Sequence, residues 1–484
     1  MLPISLRPNG RRAVIVGGGD VAARKAQSLA GAGFPLFVVA QRIGGRLRSF
    51  LAIHGGACAE RAYETADLSN AALVIAATDD FELNARIVAD ARASHVLVCD
   101  ATQSERGDFT MTATTRIGGL TISVDSGGNA PAFSARVAQE IAETFGPEYG
   151  KAERTLARMR TYVKDAFPAH ERGPILRALA ERPVAELAAM QEATLVCATR
   201  RSALATIQSR TIAALVAHRG IATEMLGITT HGDRHREDRI DRLGEVNVFV
   251  KELERALRDR RADYAVHSCK DLPSALPEDM RIAAISRRED PRDAFCSERY
   301  ASFDSLPAGA VVGTSSPRRR TQLAALRPDL RYETLRGNVD TRLRKLAAGE
   351  YDAIVLAMAG LARLGVRAAH IVPFPVERVV PAVGQGALAV EVRAGAQSLC
   401  NILYAAVNDP MSELCVECER AALREMRAGC SAPIGIHAIL MGSAIVVHGA
   451  YASDHGMARA RLERSVSTME EARALGIELA GALR

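Results

Sequence analysis

Lys270 and Asp271 stand side by side in Val266-His267-Ser268-Cys269-Lys270-Asp271-Leu272-Pro273, just after an apolar run that starts at Tyr264. A strand ending in this polar turn would present an ammonium and a carboxylate to a cleft; a surface ion pair is the plainer alternative. In Thr314-Ser315-Ser316-Pro317-Arg318-Arg319 a serine suited to cap a helix and a proline suited to its first position precede two arginines. That is a helix start built to meet an anion. Leu335-Arg336-Gly337-Asn338-Val339-Asp340-Thr341-Arg342 repeats the theme, with a glycine that allows close backbone approach. A solvated basic face accounts for any one of these clusters, but three at strand-to-helix junctions point to a site for a polycarboxylate. A fourth stretch, Gly17-Gly18-Gly19-Asp20-Val21-Ala22, has the form of a turn on which a dinucleotide pyrophosphate sits, or of a tight structural turn. The acid that would bind ribose after the second strand is missing: Ala40 and Gln41 stand there.

Positioning these groups requires strands that end where helices begin. From Ala13 to Ala40 the order is apolar run, glycines, helical pattern and second apolar run, a βαβ beginning. Runs at 73–78, 96–100 and 120–124 extend it, and a parallel sheet with crossover helices is the expected architecture. Between about Glu148 and Met190 strand patterns vanish and basic residues alternate with apolar ones at helical spacing, which places the main boundary there. Strand and helix alternation restarts at Leu195, and the tail after Met411 reads as helix, two or three strands, then helix.

At 484 residues the chain exceeds one ordinary core, and its 48% hydrophobic and 24% charged content excludes a disordered or disulfide-scaffold protein. No apolar stretch reaches the roughly 18 residues of a membrane span. Nine cysteines without framework spacing fit free thiols in a reducing cytoplasm, the expected location. The net charge of +6 conceals an imbalance, because the basic residues are six lysines and 56 arginines. A GC-rich genome produces such a bias; so do sites that bind carboxylates bidentately.

Over residues 1 to about 190, VIVGGGDVAARKAQSLAGAG, LVIAATDDFELNARI and SVDSGGNAPAFSARVAQEI resemble the NAD-dependent precorrin-2 dehydrogenase domain of siroheme synthases. The resemblance implies a Rossmann-like domain over 1–147, a helical dimerisation or linker segment over 148–192, and a homodimer formed through this module. It implies NAD held by Gly17, Gly18, Gly19, Asp20 and Val21, with Thr78 and Asp79 lining the site. That family's acid/base aspartate lies seven residues before a phenylalanine; counting back from Phe109 reaches Thr102, and Asp100 lies two residues earlier. A threonine hydroxyl cannot replace a carboxylate as general base, so either a local loop shift lets Asp100 serve or the domain binds cofactor and tetrapyrrole without efficient dehydrogenation.

From about residue 194 to 484 the clusters above, with Thr199-Arg200, Ser202, FVKELERAL, EDPRDAF, GEYDAIVLAMAGLARLG, PAVGQGALAVE and AGCSAPIG, resemble hydroxymethylbilane synthase, also called porphobilinogen deaminase. The implied fold is three α/β domains: two like a type II periplasmic binding protein (193–288 with 383–405, and 289–382), and a small α+β domain over 406–484. The implied reaction joins four porphobilinogens into hydroxymethylbilane with loss of ammonia. By the same resemblance Cys430 would carry a covalent dipyrromethane cofactor. Asp271 and Lys270 would act in catalysis, and Arg318, Arg319, Ser268 and Lys251 would contact the cofactor. Arg200, Ser202, Arg336, Arg342 and Arg363 would bind substrate carboxylates. The family's glycine-rich loop before the charged helix is altered here to Gly244-Glu245-Val246-Asn247-Val248-Phe249, and His231 and Ala428 are further departures.

Cys415-Val416-Glu417-Cys418 has zinc or redox spacing but lacks a second ligand pair, and reads as part of a helix. No metal is expected. The Arg318-Arg319-Arg320 run hints at nucleic acid, yet the chain has no tryptophan and 4% aromatic residues to stack bases, so small pyrroles rather than nucleic acids or membranes are the expected partners. Two alternatives stand beside the bifunctional enzyme: an N-terminal domain that only binds NAD or a tetrapyrrole, and a non-catalytic protein that captures acidic ligands.

Overall fold

The computed structural model describes residues 2–190, 193–228, 245–427, 432–453 and 456–484, and of 245–249 the backbone only. Two compact units, Met1–Glu153 and Arg154–Arg484, meet inside the helix Pro147–Ala166.

The first unit holds a parallel sheet of β1 (Arg12–Val16), β2 (Leu36–Ala40), β3 (Ala57–Glu60), β4 (Ala71–Ala76) and β5 (Leu97–Asp100), in the order β3-β2-β1-β4-β5. This order reverses beside β1, so a crevice opens at the carboxyl ends of β1 and β4, where α/β folds bind ligands. The sheet is covered on both faces, which is why its strands are almost continuously apolar. Ala13 and Ile15 pack into one core with Ala22, Ala26 and Leu29 of the helix Asp20–Gly31. Val14 and Val16 pack into another with Ile87 and Ala91 of the helix Phe81–Ala93. The run at Leu120–Val124 does not extend this sheet. It pairs antiparallel with Ala113–Ile117, forming the hairpin β6–β7. Gly118, at φ +62°, turns the hairpin so tightly that a Cβ there would lie 2.7 Å from the Gly150 Cα.

The second unit contains two sheets built on one plan. β8 (Thr194–Arg200), β9 (Ala222–Ile228), β10 (Tyr264–Ser268), β11 (Met280–Ile285) and β17 (Leu388–Arg393) form the order β11-β17-β10-β8-β9. β12 (Asp293–Ser297), β13 (Val311–Gly313), β14 (Arg331–Glu333), β15 (Ala353–Ala357) and β16 (His370–Pro373) form the order β14-β13-β15-β12-β16. In each sheet four strands run parallel and one antiparallel strand, β17 or β12, that arrives across one of two crossovers lies between them. Two lobes linked by two crossovers make a hinged cleft. A third sheet, β18 (Ile434–Met441), β19 (Ala444–Ser453) and β20 (Gly456–Ser465), packs its apolar face on the helices Pro410–Glu425 and Met469–Leu483.

The helical stretch after Arg154 belongs to the second unit. Met159, Val163, Phe167, Ile175 and Leu179 pack on Ala213 and Ala217 of the helix Ala203–Ala217. Arg158 donates to the Gly220 carbonyl at 2.9 Å and Tyr162 to the Thr223 carbonyl at 3.0 Å. Because Phe167 is 3% exposed in this contact, Phe167→Ala is expected to cost about 3–5 kcal/mol. A urea titration of the full chain that moved by less than a third of that would show the contact to be unimportant.

Candidate active site

β10 delivers its polar end by alternation: His267 turns inward to Glu391, 2.9 Å away, while the strand stops at Ser268 and a single 3-10 turn, Cys269–Asp271, follows. Cys269 is buried and anchors the turn, so Lys270 and the exposed Asp271 project at the carboxyl end of the strand. They line a cavity of about 130 Å³ whose walls come from both lobes. One wall is Ser268, Gln208, Lys270 and Asp271; the other includes Arg319, Arg342 and Arg363.

Each group is held by named partners. The Gln208 amide donates to the Ser268 hydroxyl at 2.8 Å. Lys270 Nζ donates to Gln385 Oε1 at 3.2 Å, and the Gln385 amide nitrogen donates to the Pro291 carbonyl at 2.7 Å and to Asp293 Oδ1 at 2.9 Å. Asp293, fully buried at the start of β12, receives Arg318 at 2.6 and 3.2 Å and Arg319 Nε at 2.9 Å. Burial alone would raise this carboxyl's pKa, but the two guanidiniums hold it far below the ordinary range. Burial, aided by Arg319, pushes the Lys270 ammonium down to about 8.

The returning segment before β17 is fixed from the third domain. Glu419, completely buried, accepts from the Gly384 N–H at 2.6 Å, the Ala438 N–H at 2.8 Å and both terminal nitrogens of Arg288 at 2.6 and 3.1 Å. Arg342 donates to the Gly337 carbonyl at 2.7 Å, and Arg363 to the Gly386 carbonyl at 2.8 Å. Neither has a salt bridge among the described residues, so both guanidiniums keep charge available to an anion.

Among the residues singled out from sequence, the cavity thus gathers Ser268, Lys270, Asp271, Arg319, Arg342 and Arg363. Arg318 is buried away from it, bonded to Asp293 and to the Val380 carbonyl. Arg200 ends β8, half-buried; Ser202 caps the helix Ala203–Ala217 by accepting from the Ala205 N–H; Arg336 is exposed in the loop before the helix Val339–Ala347. Lys251 lies on a separate cavity of about 360 Å³ with Glu254, Leu276 and Pro277. Cys430, Ala428 and His231 fall outside the described residues, as do the side chains of the altered loop. Asp293, Gln385 and Gln208 were not singled out from sequence. Asp293 had a signal: an acid opening the apolar run Ala294-Phe295-Cys296 must find a buried partner. Cys415 and Cys418 are buried thiols inside the helix Pro410–Glu425.

In the first unit the glycine turn follows β1. Gly17, at φ +131°, has no room for a side chain, because a Cβ would lie 2.2 Å from the Ala77 carbonyl oxygen; at Gly18 it would lie 2.0 Å from that of Arg42. At Gly19, the N-cap of the helix Asp20–Gly31, a Cβ would meet nothing within 4 Å. The protein demands the first two glycines, and the third leaves open space at a helix N-terminus, a cradle that fits a pyrophosphate. Val21 and Asp79 are exposed beside it.

Asp100 ends β5, and the short 3-10 turn Ser104–Arg106 takes up the extra residues before Phe109, so Asp100 rather than Thr102 holds the strand end. Its Oδ1 accepts from the Thr102 hydroxyl at 2.6 Å and from the N–H groups of Thr102 and Gln103 at 2.9 and 3.0 Å. The Asn84 amide donates to Thr102 at 3.3 Å, and the Thr78 hydroxyl donates to Asn84 at 2.7 Å. Burial would raise the Asp100 pKa, but the Thr102 and Gln103 donors leave it below the ordinary value. Its Oδ2 is buried without a hydrogen-bond partner.

Residues 195–401 match the family described as "Porphobilinogen deaminase, dipyromethane cofactor binding domain", and 413–484 match "Porphobilinogen deaminase, C-terminal domain". Residues 4–113 match "Putative NAD(P)-binding". The porphobilinogen deaminase of Albidiferax ferrireducens is 46% identical over 294 residues, 60% of this chain and 93% of that protein. That of Methylobacillus flagellatus is 46% identical over 292 residues, 60% of this chain and 94% of that protein. Among solved structures, "SirC, precorrin-2 dehydrogenase" matches 37% of this chain and 90% of its own, with 19% identity and a TM-score of 0.33.

Proposed function

The chain belongs to the porphobilinogen deaminase family, and on that premise we propose that the two-lobed cavity is where porphobilinogen loses ammonia and is joined into hydroxymethylbilane. The observation that carries this is the meeting of Asp271 with three arginines from the facing lobe. Each pyrrole bears an acetate and a propionate. Arg342 and Arg363, bonded only to neutral oxygens, are the partners such carboxylates need, and Arg319, fixed by Asp293, offers a rigid third. A dipyrromethane, with four carboxylates, suits the same cationic lining; when bound through Cys430 it supplies the primer pyrrole to which substrate is added. Asp271 stabilises the positive charge that spreads to the substrate's pyrrole nitrogen as ammonia departs, keeping the nitrogen's proton hydrogen-bonded. Lys270, held by Gln385, orients a substrate carboxylate beside it. Intact mass tests the assignment: protein made with ample porphobilinogen should carry an adduct of two pyrrole units, absent from Cys430→Ala.

Lys270 gives this reading a pH signature. Its charge is present below its pKa of about 8 and lost above it, so kcat/KM should fall on the alkaline side from near pH 8. Lys270→Arg, always charged, should move that limb up by at least about one pH unit. An unmoved limb would remove Lys270 from substrate binding.

For the first unit we propose NAD(P)-dependent oxidation of precorrin-2. The residues fit the cofactor at Gly19, and bound NAD(P) supplies a hydride acceptor. The oxidation also releases a proton, and in this reading Asp100 accepts it. Its pKa keeps it ionised at neutral pH, and its Oδ2 has no other partner. Asp100→Asn should abolish reduced-cofactor formation from precorrin-2 while leaving cofactor affinity within about twofold. If the wild-type chain binds cofactor but reduces none, the binding-only reading replaces this one.

A further inference from the structure

We infer that Arg42 and Arg46 make this dinucleotide site prefer the 2′-phosphorylated cofactor, NADP, over NAD. The inference rests on reading the first unit as a dinucleotide site and deepens it. In this fold the end of the second strand meets the adenosine ribose. An acid there accepts a hydrogen bond from a free 2′-hydroxyl and repels a 2′-phosphate, whereas an arginine accommodates the phosphate. β2 ends at Ala40 and is followed by Gln41 and Arg42.

Four observations place this segment at the cofactor. Arg42 abuts the glycine turn, since its carbonyl oxygen is the atom a Cβ on Gly18 would strike, and the Gly44 N–H donates to the Gly18 carbonyl at 2.9 Å. The ten-residue helix Gly45–His54 therefore begins beside the start of Asp20–Gly31. Its N-cap, Gly44, gives no side-chain cap, and its first turn carries no acid, in contrast to Asp20 at the neighbouring helix start. The acid at the end of β3, Glu60, is already committed: its Oε1 accepts from the Ile43 N–H at 3.0 Å and from Arg48. Arg42 and Arg46 are exposed and form no hydrogen bond or salt bridge among the described residues; Arg42 has only a longer-range attraction to Glu60. Two uncommitted guanidiniums at an uncapped, acid-free helix start form a receptor for a dianion, and offer a 2′-hydroxyl no acceptor of comparable strength.

The full chain, carrying its covalent cofactor, can be titrated with NADPH and with NADH by following the fluorescence of the reduced nicotinamide itself, since the chain has no tryptophan. NADPH should bind at least ~10-fold more tightly, with an advantage that shrinks as salt is raised. The double variant Arg42→Ala, Arg46→Ala should lose roughly 10-fold or more in NADPH affinity while NADH stays within about twofold, which also reports an intact fold. NADH binding as tightly as NADPH, or an unchanged ratio in the variant, overturns the preference and leaves the dinucleotide site standing. Binding of neither cofactor overturns the site itself, and the preference with it.

Discussion

Asp271→Asn is expected to lower kcat for hydroxymethylbilane formation by roughly 100- to 1,000-fold with KM nearly unchanged. The asparagine has the shape of the carboxylate but not its charge. In the proposed mechanism the affinity for substrate comes from Arg319, Arg342 and Arg363 on the facing lobe, which the substitution leaves in place. The loss should therefore fall on the step in which the pyrrole becomes cationic, where a fixed anion in a partly dry cleft is worth a few kcal/mol. Asp271→Glu should recover part of the rate by restoring the charge at a displaced position. A variant keeping a tenth of wild-type kcat as asparagine would remove the charge from the mechanism.

The second large effect is structural. Asp293→Ala would leave Arg318 and Arg319 charged, desolvated and unpaired, and is expected to lower stability by about 3–5 kcal/mol, read from the urea midpoint of the full chain. It also frees the Gln385 amide that carries Lys270, so substrate affinity should fall in the folded fraction. The pH dependence has a definite sign. Asp293 has a depressed pKa in the fold, so its stabilisation is complete above about pH 4, the ordinary carboxyl value, and is lost as pH falls below it. The wild-type chain should show this acid-labile component and Asp293→Ala should lack it. Equal stability of the two proteins at pH 7 would show that the pair contributes nothing.

These two residues mark how far the sequence could be read. Lys270 and Asp271 were legible because the chemistry is local: an apolar run stops, and charged side chains follow at its end. The arginines at Pro317 were legible as a cationic helix start, but not the fact that Asp293 takes up Arg318 and shares Arg319. That pairing depends on β12 inserting between β15 and β16 in a sheet whose other strands lie later in the chain. Gln385 is harder still, since it joins Lys270 from 115 residues away and has no charge to betray it. In the first unit β1, β2, β4 and β5 were plain from apolar runs, whereas the helix Gly45–His54, the mostly exposed β3 and the pairing of β6 with β7 were not. Alternation identifies a strand without naming its partner, and here the Gly118 turn supplied one next door. Asp100 could be named as a candidate, but spacing alone counted to Thr102, and the 3-10 turn at Ser104 that takes up the difference has no sequence signature.

The helices after Arg154 also bear on how such a gene can change. Their apolar face lies on Ala213 and Ala217, surfaces that the synthase part of the chain would otherwise show to water. A recombination event that split the coding sequence near codon 190, where family resemblance changes, would strand one half of a packed contact on each product. A break near codon 153 would leave that contact whole, though it would cut the helix Pro147–Ala166. Along this chain the border between families and the border between folded units therefore do not coincide, and a split at the first would cost more packing on the second unit than a split at the second.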